Sequence, residues 1–333
     1  MNEKNNRQWR LRKYPEGRVK QSDFEFSSST IPTPVAGELL IKNQWLAFDP
    51  AMRGWIDLSP NYFDPVQIGE VMRGLGVGEV VRSNIDGFSV GELVTGFLGW
   101  QDYCLSDGKQ LRKLHPQVSP ELSLGLMGVT GITAYFGFLD KAKPSENDVV
   151  VISGAAGSTG SIVGQIAKIK GCNVIGIAGG EKKCSWLLEK AGFDAAIDYK
   201  NEDVDKRLAE LCPQGINIFY DNVGWPILDI ALKHISLGAR VVICGSIARY
   251  SSEQLPPGPK NYFNIVNKRA RIEGVLVLDY LERSEEAICN LLKWKSKGLI
   301  CCETDVQKGL ENAPQTLIRL YTGENFGKQL LHI

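Results

Sequence analysis

The sequence predicts an α/β chain: a doubly wound parallel sheet accompanied by a smaller, β-rich domain. Two observations predict it. From about Pro120 onward, short apolar runs alternate with stretches of helical periodicity, the pattern of βα units around a parallel sheet. Before that point, short strand-like runs are broken by glycine turns, the pattern of a small barrel-like domain. At 333 residues the chain also exceeds one ordinary core, which favours two domains.

The elements follow in order. Residues 1–30 are polar, with an extended stretch from Trp9 to Tyr14. Glu38–Lys42 and Trp45–Phe48 read as two strands, and Asp49–Gly54 as a turn or short helix. The Pro/Asn/Asp-rich loop 55–70 exposes Tyr62 and Phe63. Gly74–Val81, Asp86–Thr95 and Tyr103–Leu114 supply further short strands and turns. Leu122–Leu139 is apolar with helical breaks. Strands are then expected at Val149–Ile152, Asn173–Ile177, Ala195–Asp198, Ile216–Tyr220, Arg240–Cys244 and Arg271–Leu278. Helices are expected at 160–170, 182–191, 202–212, 226–237, 261–268 and 282–297. The tail holds a helix, Asn312–Tyr321, and a strand, Gly327–Ile333. No parallel sheet remains for that strand to extend, so it is assigned back to the first domain. The domains expected are 1–122 with 300–333, and 123–299.

The most informative stretch is DVVVISGAAGSTGSIVGQIAKIK, from Asp148 to Lys170. Val149–Ile152 is an apolar run of the kind a buried parallel strand shows. Gly154, Gly157 and Gly160 follow at three-residue spacing, and then Ile162, Val163, Ile166, Ala167 and Ile169 recur at helical spacing. A dinucleotide pyrophosphate needs this order. Glycine lets the backbone approach the phosphates, and the free N–H groups of a helix N-terminus meet the negative charge. The next strand ends in Ala178-Gly179-Gly180, then Glu181-Lys182-Lys183. An NAD-binding sheet usually places a carboxylate at that tip. A neutral tip followed by lysines favours the 2′-phosphate of NADP(H).

Composition excludes several classes. The chain carries 38 basic and 38 acidic residues, which gives no reason to expect nucleic acid or an anionic membrane as partner. No stretch approaches the 18 apolar residues of a membrane span, and the first residues lack the apolar core of a signal peptide. A cytoplasmic setting is the expectation. The eight cysteines are scattered, with only Cys301 and Cys302 adjacent, and there are three histidines. No CxxC occurs, so neither a zinc lobe nor a redox disulfide is expected, and no metal ligands are assigned.

Taken together, DPAMRGW (49–55), GVTGITAYFG (128–137), the glycine stretch 155–180, GFDAAIDY (192–199), FYDNVG (219–224), CGSIARY (244–250), LPPGP (255–259), ENAPQTL (311–317) and NFGK (325–328) form a recognisable set. Over nearly its whole length the chain resembles the zinc-independent double-bond reductases of the medium-chain dehydrogenase/reductase superfamily. These include leukotriene/prostaglandin reductases, plant alkenal reductases and bacterial curcumin reductases. The resemblance implies a GroES-like catalytic domain with a Rossmann NADP-binding domain, commonly as a homodimer. It implies that Gly157, Ser158, Thr159 and Gly160 hold the pyrophosphate, Lys183 meets the 2′-phosphate and Tyr199 lies near the adenosine. Asn222 would face the nicotinamide side, and Cys244, Gly245, Ser246, Tyr250, Val275, Leu276 and Val277 would line the nicotinamide. Asn325 would close the cofactor groove, and Tyr62 and Tyr250 would lie near substrate. Three positions depart from the family pattern: Trp225 where a second glycine is usual, Ser251 where Asn is usual, and Asn267 where several relatives carry Tyr.

The implied reaction moves a hydride from NADPH to the β-carbon of an α,β-unsaturated carbonyl. The oxygen gains enolate charge, an O–H donor stabilises it, and a proton reaches the α-carbon. Without zinc the donor must be a hydroxyl, and a tyrosine, which titrates near pH 10, stays protonated at neutral pH. Tyr250 is the first candidate and Tyr62 the second; the alternative is that both only shape the pocket and water delivers the proton. Other readings are a quinone reductase of the same superfamily, an alcohol dehydrogenase, which the missing zinc ligands disfavour, and a non-enzymatic NADPH-binding protein.

Overall fold

The computed structural model describes residues 5–250 and 256–333. Its elements in chain order are β1 (Asn5–Leu11), β2 (Phe24–Thr30), β3 (Leu39–Ala47), α1 (Met52–Trp55), β4 (Leu75–Ser83), β5 (Leu93–Phe97), β6 (Tyr103–Ser106), β7 (Arg112–Lys113), α2 (Pro120–Leu124), α3 (Val129–Phe136), β8 (Val149–Ser153), α4 (Ser158–Ile169), β9 (Asn173–Ala178), α5 (Glu181–Glu189), β10 (Ala195–Asp198), α6 (Val204–Leu211) and β11 (Ile216–Asp221). There follow α7 (Ile227–Lys233), β12 (Ile235–Ile243), α8 (Ile247–Tyr250), α9 (Asn264–Asn267), β13 (Arg271–Gly274), α10 (Ser284–Ser296), β14 (Thr304–Lys308), α11 (Ala313–Thr322) and β15 (Lys328–His332). Two units form: one from the residues up to Leu124 together with Thr304–Ile333, the other from Gly125–Glu303.

The first unit holds a seven-stranded sheet in the order β14-β15-β3-β4-β5-β7, with β6 also paired to β3, and a separate hairpin of β1 and β2. The terminal strand β15 runs antiparallel to β3, with Leu330 opposite Ala47, and parallel to β14. Its main core packs Trp9, Phe24, Phe48, Met52, Trp100 and Leu317. Residues 39–47 form one strand, where the sequence reads as two. Two irregularities, at Leu40/Ile41 and at Asn43/Trp45, carry β3 through the polar interruption. Asn43 is buried there; its Nδ2 donates to the carbonyls of Gly99 (3.2 Å) and Gln101 (2.7 Å), while its Oδ1 is left without a partner among the described residues. Two strands are additional to those expected: β2, FEFSSST, and β14, TDVQK. Both are polar and held by ladder hydrogen bonds to a neighbour, β1 and β15 respectively.

The second unit is a six-stranded sheet in the order β10-β9-β8-β11-β12-β13, and every pair is parallel. Val150, Val151, Ile152, Val174, Ile175, Ile218 and Phe219 are buried, as expected of strands covered on both faces. In α4, Ile162, Val163, Ile166 and Ala167 are all buried. The helix expected over 226–237 ends at Lys233, and β12 begins at Ile235, five residues before the expected start. Ile235 pairs with Ile216, so the strand starts where its neighbour does. β13 stops at Gly274, short of the expected Leu278.

Candidate active site

The strand order of the second unit reverses between β8 and β11: β9 and β10 lie to one side, β12 and β13 to the other. In open α/β sheets the crevice at the carboxyl ends of such a pair is the usual ligand site. The residues singled out in the sequence follow those carboxyl ends strand by strand. Gly157, Ser158, Thr159 and Gly160 come after β8, Lys183 lies on the first turn of α5 after β9, and Tyr199 follows β10. Asn222 follows β11, Cys244, Gly245, Ser246 and Tyr250 follow β12, and Val275, Leu276 and Val277 follow β13.

Gly157 caps α4 and offers no side chain to the first N–H groups of the helix, which have no intrahelical acceptor. A Cβ on Gly160 would lie 2.5 Å from the Gly154 oxygen and 3.0 Å from the Ala155 Cα, so only glycine lets the helix start this close to the turn. Ser158 Oγ donates to Thr130 Oγ1 (3.0 Å), which donates in turn to the Gly125 carbonyl (3.0 Å). At the tip of β9, Gly180 has φ +95°, and a Cβ there would meet no atom within 4 Å. The Asp198 carboxylate, from the tip of β10, accepts from the N–H groups of Gly180 (2.7 Å) and Lys200 (3.1 Å) and from Asn201 Nδ2 (2.8 Å). The Gly180 bond is the foremost reason its carboxyl sits below the ordinary range. The tip that reads as neutral is thus braced by a neighbouring strand's carboxylate, engaged with its own turn.

At the strand-order reversal, Ser153 Oγ donates to Asp221 Oδ1 (2.6 Å), and Val223 and Gly224 donate their N–H groups to the same oxygen (3.0 Å each). Burial pushes the Asp221 carboxyl up, against the pull of Ser153 and these N–H groups. The N–H groups of Cys244 (2.8 Å) and Gly245 (3.1 Å) donate to the Asp221 carbonyl, which turns the chain after β12 onto α8 and Tyr250. Tyr250 is half-buried; burial foremost, then the neighbouring Cys244, raises the pKa of its phenol. Burial pushes the Cys244 thiol up to about 11, and the thiol is hydrogen-bonded to the buried Tyr220 hydroxyl. That hydroxyl also donates to the Thr133 carbonyl (3.4 Å).

Tyr62 and Asn325 belong to the first unit. Tyr62 is 45% exposed and packs edge-on to Phe63 at 5.3 Å, and Phe63 meets Trp55 at 5.9 Å and Phe97 at 5.8 Å. The Arg73 guanidinium lies 5.4 Å over the Phe63 ring and donates to the Asp64 carbonyl (3.0 Å), which fixes this loop. Asn325 Nδ2 donates to the Gly327 carbonyl (3.1 Å), and the next side chain, Lys328, reaches Asp49 Oδ1 at 2.6 Å.

Residues 7–114 match the family model described as the N-terminal domain of oxidoreductase, and residues 158–294 the one described as zinc-binding dehydrogenase. The NADPH-dependent curcumin reductase of Escherichia coli (strain K12) is 40% identical over 98% of this chain and 97% of that protein. Prostaglandin reductase 1 of Bos taurus is 37% identical over 97% of this chain and 98% of that protein. The crystal structure of CurA in complex with NADPH from Vibrio vulnificus superposes with a TM-score of 0.93 at 41% identity, covering 98% of each chain. This chain belongs to the double-bond reductases of the medium-chain dehydrogenase/reductase superfamily.

In this reductase, Ser153, Asp198, Tyr220 and Asp221 join the site although sequence reasoning assigned them nothing. The one available signal was FYDNVG, which places a carboxylate at the end of an apolar strand. Among the described residues of the reductase, no group of three or more His, Cys, Asp or Glu side chains could hold a metal ion, although one matching model is described as zinc-binding. Of the three departures, Trp225 and Asn267 are exposed, and Ser251 lies outside the described residues. No helix among the described residues is long and apolar enough to cross a membrane.

Proposed function

We propose that this reductase uses NADPH to reduce the carbon–carbon double bond of α,β-unsaturated aldehydes and ketones, without zinc. The observation that carries the reading is the sheet edge itself. One edge holds a bare glycine-capped helix start, an open neutral strand tip and a half-buried tyrosine. The dinucleotide fits these residues: the Gly160 approach leaves room for a pyrophosphate over the helix N–H groups, and the empty space at Gly180 leaves room for a phosphorylated ribose. Gly157, Ser158, Thr159 and Gly160 would hold the pyrophosphate, Lys183 the 2′-phosphate and Tyr199 the adenosine end. Asn222, Cys244, Gly245, Ser246 and Val275–Val277 would flank the nicotinamide.

Bound NADPH supplies the hydride that goes to the β-carbon. The Tyr250 phenol, kept protonated by burial, donates a hydrogen bond to the carbonyl oxygen as that oxygen gains enolate charge. The α-carbon receives its proton from a hydroxyl or from water. Curcumin and prostaglandin reductases among the relatives support enones as the substrate class. A homodimer in the cytoplasm completes the proposal; sedimentation analysis tests the dimer, and metal analysis of the purified protein tests the absence of zinc. The decisive assay is NADPH oxidation against a panel of enals, enones and quinones, with NADH as control. Turnover of enals and enones with NADPH is expected. Turnover of quinones alone, or equal rates with NADH, would overturn the reading.

A further inference from the structure

The carboxyl ends of β8 and β11 flank the strand-order reversal, and side chains from both ends make one network there. Ser153, the last residue of β8, and Asp221, the last of β11, are fully buried. Their side chains share the 2.6 Å bond from Ser153 Oγ to Asp221 Oδ1. With its proton committed to the carboxylate, Ser153 Oγ is left as an acceptor, and it takes the backbone N–H of Asn222 at 2.8 Å. The Asn222 carboxamide is held as well: its nitrogen lies 2.7 Å from the Ser153 carbonyl oxygen.

This last contact fixes which way the amide faces. A backbone carbonyl can only accept, so the atom against it must be the NH2 group, and the carboxamide oxygen must be the other one. Among the described residues, Asn222 Oδ1 receives no donor, and the residue is half-buried at the sheet edge where a ligand is expected. Asn222 therefore offers a pre-aimed acceptor. Its ligand partner must be a donor, and an uncharged one suits an uncharged amide in a half-buried position.

We infer that Ser153 and Asp221 are positioning residues that lock the Asn222 amide, and that its oxygen accepts an N–H of the nicotinamide carboxamide. The inference rests on the proposed use of NADPH. On that ring the carboxamide NH2 is the only N–H donor; the ribose hydroxyls are the competing uncharged donors, and an analogue that keeps them while losing the amide nitrogen separates the two.

The probe is NADP+ compared with its 3-acetylpyridine analogue, in which a methyl replaces the amide nitrogen and the carbonyl is kept. Binding is measured by calorimetry on the full chain, with no turnover required. The wild type should bind NADP+ about tenfold more tightly than the analogue, the upper worth of one hydrogen bond between uncharged groups. Asn222→Ala should bring the two affinities to within about twofold. Ser153→Ala, which frees the amide to turn, should lower the ratio to about threefold, and it serves if Asn222→Ala does not fold. A ratio near one in the wild type, or a tenfold ratio retained in both variants, would overturn the inference. Failure of the wild type to bind NADP+ at all would instead sink the underlying cofactor reading.

Discussion

The buried ion pair of the first unit gives the sharpest stability prediction. Lys328 Nζ lies 2.6 Å from Asp49 Oδ1, and the two side chains are only 4% and 14% exposed. Nζ also donates to the Phe48 carbonyl at 3.4 Å. At that separation, with an effective dielectric of ~20, the attraction is about 6 kcal/mol before desolvation is counted. Lys328→Met keeps most of the side-chain volume, so no cavity should add to the effect. It leaves a carboxylate nearly enclosed and without its cation, which should cost about 3–5 kcal/mol. For a unit of this size that corresponds to a fall in Tm of roughly 6–20 °C. Asn in place of Asp49 removes the stranded charge, so the double variant Asp49→Asn/Lys328→Met should regain stability to within about 2 kcal/mol of wild type. Urea unfolding followed by tryptophan fluorescence measures both. A loss below about 1 kcal/mol in Lys328→Met, or a double variant as unstable as the two single losses added, would refute the argument.

Four further outcomes test the site. Tyr250→Phe should lower kcat for an enone about 10²–10³-fold with NADPH affinity little changed, as expected for loss of one donor to a developing oxyanion; a change of only a few-fold would mean that the ring shapes the pocket and water does the chemistry. Because burial raises the Tyr250 pKa, the phenol should remain a donor beyond pH 10 and be lost only as pH rises through its raised value; an alkaline limb at or below pH 9 would assign that limb to another group. Lys183→Ala should weaken NADPH binding about 10–100-fold and leave NADH binding unchanged, the worth of one hydrogen bond to a charged phosphate; parallel losses for both coenzymes would remove Lys183 from the phosphate. Gly160→Ala should destabilise the second unit by about 1–3 kcal/mol despite the better helix propensity of alanine, because the atoms its Cβ meets are backbone and cannot swing away; a thermal scan showing stabilisation would contradict this.

What the sequence made legible was what neighbouring residues encode. The strands of the second unit are apolar on both faces, so β8 through β11 stand out as short runs, and the glycine turn before α4 is read within a dozen residues. The polar strands β2 and β14 carry no such mark, since each is defined by a partner and not by its own side chains. β3 reads as two strands because its polar middle looks like a break until Asn43 finds acceptors more than fifty residues away. In the site, the positions at the strand ends were legible and the braces behind them were not. Asp198 holds Gly180 across 18 residues, and Ser153 holds Asp221 across 68. Only the folded sheet brings such pairs together.

The first unit is assembled from two segments far apart in the chain, and β15 sits inside its sheet between β14 and β3. During synthesis on the ribosome, that sheet cannot close until the residues after Gly327 have emerged, whereas Gly125–Glu303 is contiguous and can finish earlier. The segment up to Leu124 must therefore wait, half-built, for its last strand. A chain stopped at Gly327 should be digested by protease in its first unit while Gly125–Glu303 survives, and equal resistance of both would show that the late strand is dispensable.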